Sequence, residues 1–456
     1  MPRPILTDAQ ESAVRDAAFA LLTRTGFRVL NSACLMALEA FGCAVDRDGR
    51  VARLTESQVA GVLAAAKACN AGEPGAPPKG TPVGGIQPLF LELGGRPRAA
   101  RAGDLLISLK IADELVGVRS IGPPLTNSEA NTETEPIETL ALMMTTCKRW
   151  LEAFDVPQPG LTPYLVRMGE IYTGRPASAH FLSGIYCVTT PLTFGDRVCR
   201  CMIERAEYSI TAVPTPMPIS GANVPISPFA AMAVAIAEII AGWAIALALN
   251  PANPLAGLIC SGSLDMATGK ARFSRLEAIR QDAGVVQVLG RGLGCAVWCA
   301  HNYTDASEPG YPAVADKHFK SLTLNQFGAG VGCHQGTLDA GRVYSNEQLA
   351  IDIELNDLLQ RHEAGLPGDC DMMLDALTEA GEDIGRDWLS DPSTAEHMRE
   401  FQKPPDLLRP EAAQDILKRA QDKCQAALAR YTPPELPGDK LTEIERLVDS
   451  ARQELL

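Results

Sequence analysis

The sequence predicts an α/β fold: a (β/α)8 TIM barrel with an N-terminal helical cap and a C-terminal helical extension. Three observations predict it. Seven or eight short apolar runs alternate with helix-length amphipathic stretches from Asp104 onward. The dinucleotide fingerprint that would favour a doubly wound sheet does not follow the first strand. The glycine-rich Gly290-Arg291-Gly292-Leu293-Gly294 comes after a helix and before a strand, the wrong order for cradling a phosphate. Nothing in the alternation marks a second fold, and a repeat count near eight favours the barrel.

The expected cap covers residues 1–90. Thr7-Asp8-Ala9-Gln10 is a capping box that opens a helix carrying Val14, Ala18, Leu21 and Leu22 on one face and ending near Gly26. A short helix is expected over 32–41. Asp46-Arg47-Asp48-Gly49 reads as a hairpin turn between Ala44-Val45 and Val51-Ala52. Thr55-Glu56-Ser57-Gln58 is a second capping box, and residues 70–85 are a loop without periodicity. The expected barrel covers 91–365, its helices over 104–116, 133–144, 163–172, 194–206, 229–249, 274–289, 313–326 and 345–359. Extended runs lie over 118–121, 149–154, 180–186, 209–213, 255–260, 294–300 and 329–333. Residues 366–456 are acidic, helical and proline-punctuated, an accessory tail.

Composition narrows the function. Of 456 residues, 46% are hydrophobic and 21% charged, an ordinary globular balance. Lys plus Arg is 41 against 55 for Asp plus Glu, a net charge of −14. That argues against nucleic acid as a partner, since phosphate neutralisation needs clustered bases, and it permits a cationic ligand. The 13 cysteines are scattered singly in a long chain, so a reducing, cytoplasmic setting is expected. Met1-Pro2-Arg3-Pro4-Ile5 has no charged-then-apolar leader, so no secretory signal is expected. From Phe229 to Leu249 the chain meets the length and apolarity of a membrane span. Glu238 in its middle, its many alanines and its proline-turn flanks favour a buried helix, and an all-apolar helix also suits cover by a second subunit, hence a homo-oligomer.

In such a barrel the chemistry sits where the strands end, and that rule selects the candidate residues. Prolines 214, 216, 218 and 225 freeze the loop after the fourth strand, so Ser220 and Asn223 there could bind a ligand at little entropic cost; equally, the loop could be a rigid connector. Asp265 lies after the fifth strand. On the sixth, the two-residue period puts Cys295, Val297, Cys299 and His301 on one face. With Cys333 and His334 these could form a thiolate–imidazole metal set, but free cysteine is so commonly buried that small residues filling the barrel interior, with His301 at the mouth, is the favoured reading, and no metal is expected. Asp305 at the mouth, beside a ring, is what a permanently cationic nitrogen needs, because it has no hydrogen to donate. Tyr303, Trp298, Tyr186 and Tyr311 are the candidate rings, each also explicable as packing. After the seventh strand, glycines around the His334–Gln335 pair allow a ligand close to the backbone, and His334 could hold a substrate carboxylate or an intermediate; equally, it could be a structural histidine bonded to a carbonyl.

Several ordered segments then carry a resemblance. They are PMPISGANVPISPFAAMAVAIAEIIAGWAIALALNP, GSLDMATGKARFSRLEAIR, TDASEPGYPAVADKHFKSLTLNQFGAGVGCHQG and YSNEQLAIDIEL, with a fainter echo in AEHMREFQKPPDLL. Together they resemble the trimethylamine methyltransferase superfamily, in particular its glycine betaine methyltransferase-like members that lack pyrrolysine. The resemblance implies a (β/α)8 barrel that moves a methyl group from a quaternary or tertiary methylated amine to the cobalt of a corrinoid (cobalamin) carried by a separate protein, as in methanogenesis-type methyl transfer. The region where the pyrrolysine enzymes carry that residue resembles Thr304-Asp305-Ala306. A nitrogen that leaves as a neutral amine needs no acid, so Asp305 and the rings would steady the cation while His334 or Gln335 holds the other end. The C-terminal EAAQDILKRAQDKCQAALAR departs from the family's aromatic finish. Two other readings stay open: a zinc-dependent thiol or thioether methyltransferase, and a barrel that only binds a methylated amine.

Overall fold

The structure is a computed structural model of the 456-residue chain. It describes all residues except 1–2, 71–79, 153–155, 157, 177–181, 183, 301–302, 331–333, 366–386, 391, 403, 410 and 412–413.

The chain opens with α1 (Asp8–Ala20), β1 (Phe27–Val29), α2 (Ser32–Ala40), β2 (Ala44–Asp46), β3 (Val51–Arg53) and α3 (Glu56–Cys69). Both capping boxes form as read, each threonine accepting from the amide three residues on while the glutamine returns to the cap backbone. The Asp46 carboxylate accepts from Gly49 N at 3.0 Å and closes the β2–β3 hairpin. Not foreseen was β1, which pairs with β3 and also, in parallel, with β10 (Thr193–Phe194), a strand from far along the chain.

The middle of the chain alternates strand and helix. In order come β4 (Thr81–Val83), β5 (Leu89–Phe90), β6 (Arg98–Ala99), α4 (Ala102–Glu114), β7 (Val118–Ile121), α5 (Glu135–Thr146), β8 (Trp150–Leu151), α6 (Thr162–Thr173), β9 (Ile185–Cys187), β10, α7 (Asp196–Ala206), β11 (Val213–Thr215), β12 (Ile219–Ser220) and α8 (Pro228–Leu249). Then follow β13 (Gly257–Ile259), β14 (Gly262–Asp265), β15 (Lys270–Arg272), α9 (Leu276–Val286), β16 (Val297–Cys299), α10 (Tyr311–Gln326), β17 (Thr337–Leu338), β18 (Val343–Tyr344) and α11 (Asn346–Ala364). Two parallel arcs carry the architecture. One is β4–β7–β8; the other runs β9–β11, through the bridge Ala212–Leu255, to β13–β16. Successive members of an arc are joined by helices, the mark of a parallel α/β fold.

Helix α8 is the centre of the larger core. It is long and apolar enough to cross a membrane, yet 83% of its most apolar stretch is buried within this one chain. Val14, Ala18, Leu38, Val59 and Val62 from α1, α2 and α3 share a core with Ile236, Ile240, Trp243 and Ile245 of α8. The cover expected from a second subunit is therefore supplied by the chain's own first seventy residues, and this helix gives no ground for an oligomer. Its one charge, Glu238, is fully buried, with Leu192 N donating to its carboxylate at 2.6 Å and the Thr190 hydroxyl at 2.9 Å. Burial pushes that carboxyl up to about 7. A carboxyl raised in the folded state binds its proton more tightly there than when unfolded, so stability falls as pH rises from the ordinary carboxylate range through about 7, by an order of 3 kcal/mol. In Glu238→Gln the drop in unfolding midpoint between about pH 5 and about pH 8 should shrink.

The C-terminal helices are α12 (Pro392–Phe401), α13 (Ile416–Arg430) and α14 (Gly438–Leu455). Ile416, Ala420, Cys424 and Ala427 of α13 join a second core with Leu105 and Leu109 of α4 and Leu349 of α11, and Ile444 and Ala451 of α14 join it beside α5 and α6. The expected accessory tail thus completes a core.

Candidate active site

The hairpin β14–β15, the segment after β16 and the turn between β17 and β18 meet around a cavity of about 500 Å3. Met217, Phe273, Tyr303, Asp305, Gly341 and the cations Lys270, Arg272 and Arg342 are among its lining. Asp305 does not hang free. Phe273 N donates to its Oδ1 at 2.8 Å and Ser274 N to its Oδ2 at 3.1 Å, which ties the end of β15 to the segment after β16. From α10, Asp316 Oδ2 accepts from the Thr304 hydroxyl at 3.0 Å and from Asp305 N at 3.1 Å. Asp339 N and Ala340 N close the other side on the carbonyls of Ala306 and Thr304.

The Tyr303 ring lies against Phe273, centroids 5.3 Å apart and planes at 44°. Gly341, at φ +78°, lies under that tyrosine; a Cβ there would come within 2.8 Å of the ring, so only glycine fits. Asp339 and Ala340 before it also have positive φ, +47° and +55°. Backbone in this region costs of order 1 kcal/mol per non-glycine residue, and here it forms one wall of the cavity. Arg342 pairs with Asp339 at 2.6 Å and stands largely in solvent, as does Lys270, so the cavity opens outward. Two ring faces beside a carboxylate suit a cationic nitrogen; guanidinium and ammonium groups a few residues away suit a carboxylate.

The other expected site residues lie elsewhere. His334 is fully buried and does not line this cavity: its Nε2 sits 2.9 Å from the Ser321 hydroxyl, and its backbone N–H and C=O are both taken by the Asn356 amide, at 2.9 and 2.8 Å. Gln335 is half-buried and outside it too. Tyr186 is buried in the α8 core, with the Arg205 guanidinium 5.5 Å from its ring centroid, so an internal cation already occupies a face. Tyr311 is drawn to the C-terminal region, its hydroxyl donating to Arg409 O. Ser220 accepts from Gln281 Nε2 at 2.6 Å and lines a separate cavity of about 670 Å3 beside α9. The Asn223 amide braces its own loop, accepting from Ile219 N and donating to Met217 O. Asp265 caps the β14–β15 turn; hydrogen bonds from Thr268 and Ala267 N, with Arg275 at 2.7 Å, hold its carboxyl below the ordinary range. Trp298 is half-exposed on the face of β16 that alternation turns away from α8.

The expected metal-bearing face of the sixth strand turns the other way. Val297 and Cys299 pack with Cys295 into the core shared with α8 and α9. Burial pushes the Cys295 thiol up to about 11 and Cys299 well above the ordinary thiol range, whereas zinc takes a thiolate. His301 and Cys333 lie outside the described residues. Among the described residues, no group of three or more His, Cys, Asp or Glu converges on a common point.

Sequence reasoning also missed a set of buried charges. Lys317 and Asp352, both fully buried, pair at 2.5 Å, and Gly336 N donates to the same Asp352 oxygen at 2.8 Å. Lys320 and Asp282 are buried nearby on α10 and α9. A signal existed: 313, 317, 320, 321 and 324 form the inward stripe of α10, and two of its five positions are lysines.

A family model for trimethylamine methyltransferase matches residues 2–455. The chain belongs to the trimethylamine methyltransferase family. Among curated relatives it is similar to the trimethylamine methyltransferase MttB of Methanosarcina barkeri, 23% identical over 278 residues, which is 59% of this chain and 55% of that protein. It is also similar to the glycine betaine methyltransferase of Desulfitobacterium hafniense, 24% identical over 277 residues, 58% of this chain and 57% of that one. The chain thus aligns with a little over half the length of these relatives. A solved structure, the monomethylamine methyltransferase of Methanosarcina barkeri, superposes with a TM-score of 0.49 at 13% identity over 92% of each chain. For this member of the family, Tyr303 and Asp305 are the expected site residues that share a cavity, and Phe273 and Gly341, which were not expected, join them there.

Proposed function

We propose that the two parallel arcs close into a (β/α)8 ring and that the chain transfers a methyl group from a quaternary or tertiary methylated amine of betaine type to a corrinoid held by a partner protein. The observation that carries this reading is the cavity itself. In a chain of this family, it sets Tyr303, Phe273 and Asp305 beside Arg272, Lys270 and Arg342 at an outward-opening mouth.

The partner's reduced corrinoid supplies the nucleophile, as the methyl acceptor. The residues of this chain bind and orient. Tyr303 and Phe273 present ring faces to the ammonium, and Asp305 adds negative charge without needing to move, because two backbone amides already hold it. A substrate carboxylate would sit toward Arg272 and Arg342. A quaternary nitrogen, or a tertiary one that arrives protonated, leaves as a neutral amine, so no side chain need give it a proton, which suits a cavity whose described lining residues offer fixed charges. A cytoplasmic setting fits, since all the described cysteines are free thiols.

An anaerobic assay with reduced corrinoid and a panel of betaines tests this directly. Failure to methylate the corrinoid with any quaternary amine would sink it. Within that assay, Tyr303→Ala should raise KM about tenfold, the worth of a partly desolvated cation–π contact, while Tyr303→Phe should stay close to the parent.

A further inference from the structure

We propose that Lys320 and Asp282 are positioning residues: a buried clamp that sets the spacing between the ends of β13 and β16 and so places the Tyr303–Asp305 segment over the cavity. Lys320 projects from α10 and donates to Ala300 O at 3.0 Å, at the first residue past β16. Asp282 projects from α9 and its Oδ1 accepts from Ser261 N at 2.7 Å, two residues past β13. Ala300 N in turn donates to Ile259 O at 2.9 Å, so the two anchored strand ends are themselves hydrogen-bonded. Both charges are fully buried, and the thiols Cys260 and Cys299 are buried with them. Burial pushes the Asp282 carboxyl up to about 7, and the opposing influence that comes next is the Lys320 ammonium.

The arrangement is expensive for mere filling. Among the described residues, Asp282 and Lys320 form no direct ion pair, and the ammonium donates to a neutral carbonyl. A methionine would fill the same space without the desolvation penalty. What a charge adds is direction: it fixes one carbonyl and one amide at adjoining strand ends. Tyr303 follows Ala300 by three residues and Asp305 by five. Asp316, one turn before Lys320 on the same helix, holds Thr304 and Asp305, so α10 grips the segment at both its beginning and its middle. The proposal rests on the reading of this cavity as the methylated-amine site.

Hydrogen–deuterium exchange on the intact, ligand-free chain at fixed pH provides the test, with steady-state kinetics beside it. Lys320→Met should speed exchange of the amides of Ser261, Asp305 and Ala306 at least tenfold while α8 and α14 keep their protection. It should raise KM for the amine by a similar factor with kcat changed less than threefold. Asp282→Asn, nearly isosteric, should do the same more weakly, and it replaces Lys320→Met should that variant not fold. If the unfolding midpoint drops but exchange at Ser261, Asp305 and Ala306 stays at the parent rate, the pair is plain core and the clamp is refuted. If those amides loosen while even the parent protein turns over no quaternary amine, the clamp stands and the functional reading falls.

Discussion

Asp305→Ala is expected to lower kcat/KM by about a hundredfold or more, a loss of roughly 3 kcal/mol or above in transition-state binding. Two effects combine. The cavity loses its fixed negative charge, and the backbone amides of Phe273 and Ser274 lose their acceptor. Charge-assisted hydrogen bonds of this kind are worth about 1.5–3 kcal/mol each. Phe273 is then released from its place against Tyr303, so both ring faces shift. Asp305→Asn keeps one carbonyl acceptor and should lose less, about tenfold, mostly in KM. Initial-rate kinetics on both variants, with near-ultraviolet circular dichroism as a reporter of the ring pair, gives the result. A kcat/KM within threefold of the parent for the alanine variant would remove Asp305 from the site.

The largest effect on stability should come from Asp352→Ala, about 3–5 kcal/mol, because it leaves the Lys317 ammonium buried without its counter-charge. It also strips the acceptor from Gly336 N and from the Gln348 amide, so the chain entering β17 loosens. Desolvation already pulls the Lys317 ammonium below its ordinary range, and Asp352 is the main influence opposing it. A lysine lowered in the folded state makes stability rise with pH up to the ordinary lysine range, so the deficit of the variant should shrink in alkaline buffer. Replacing both residues by apolar ones of similar volume should recover most of the loss. Denaturant unfolding of the single and double variants separates these outcomes.

Legibility followed the range of the interaction. The capping boxes at Thr7 and Thr55 and the Asp46–Gly49 turn are satisfied within four residues, and each was read correctly. Helix positions came from the 3.6-residue period and agree to within a few residues in the central stretch. Tyr303 and Asp305, which line one cavity, were legible as candidates because a ring and a carboxylate follow a strand end. Their partners, Phe273 and the Arg272 beside it, were not, because the β14–β15 hairpin reaches across about thirty residues of sequence to meet them. His334 misled for the converse reason: glycines around a histidine at a strand end describe a ligand loop and a buried hydrogen-bonding corner equally well, and Asn356 of α11 decided between them.

The sequence by itself determined the alternation of strands and helices, the family and a short list of candidate site groups. These rest on local periodicity, on caps and on ordered motifs, each carried by contiguous residues. Only the tertiary structure decided which face of each strand meets the helices, and therefore that Tyr186, Cys295 and Cys299 belong to the core while Tyr303 and Asp305 share a cavity. A two-residue period says that neighbours point apart; it does not say which way is inward, because that depends on where α8 packs. The first seventy residues settled that by covering α8, a contact between segments that no local pattern encodes.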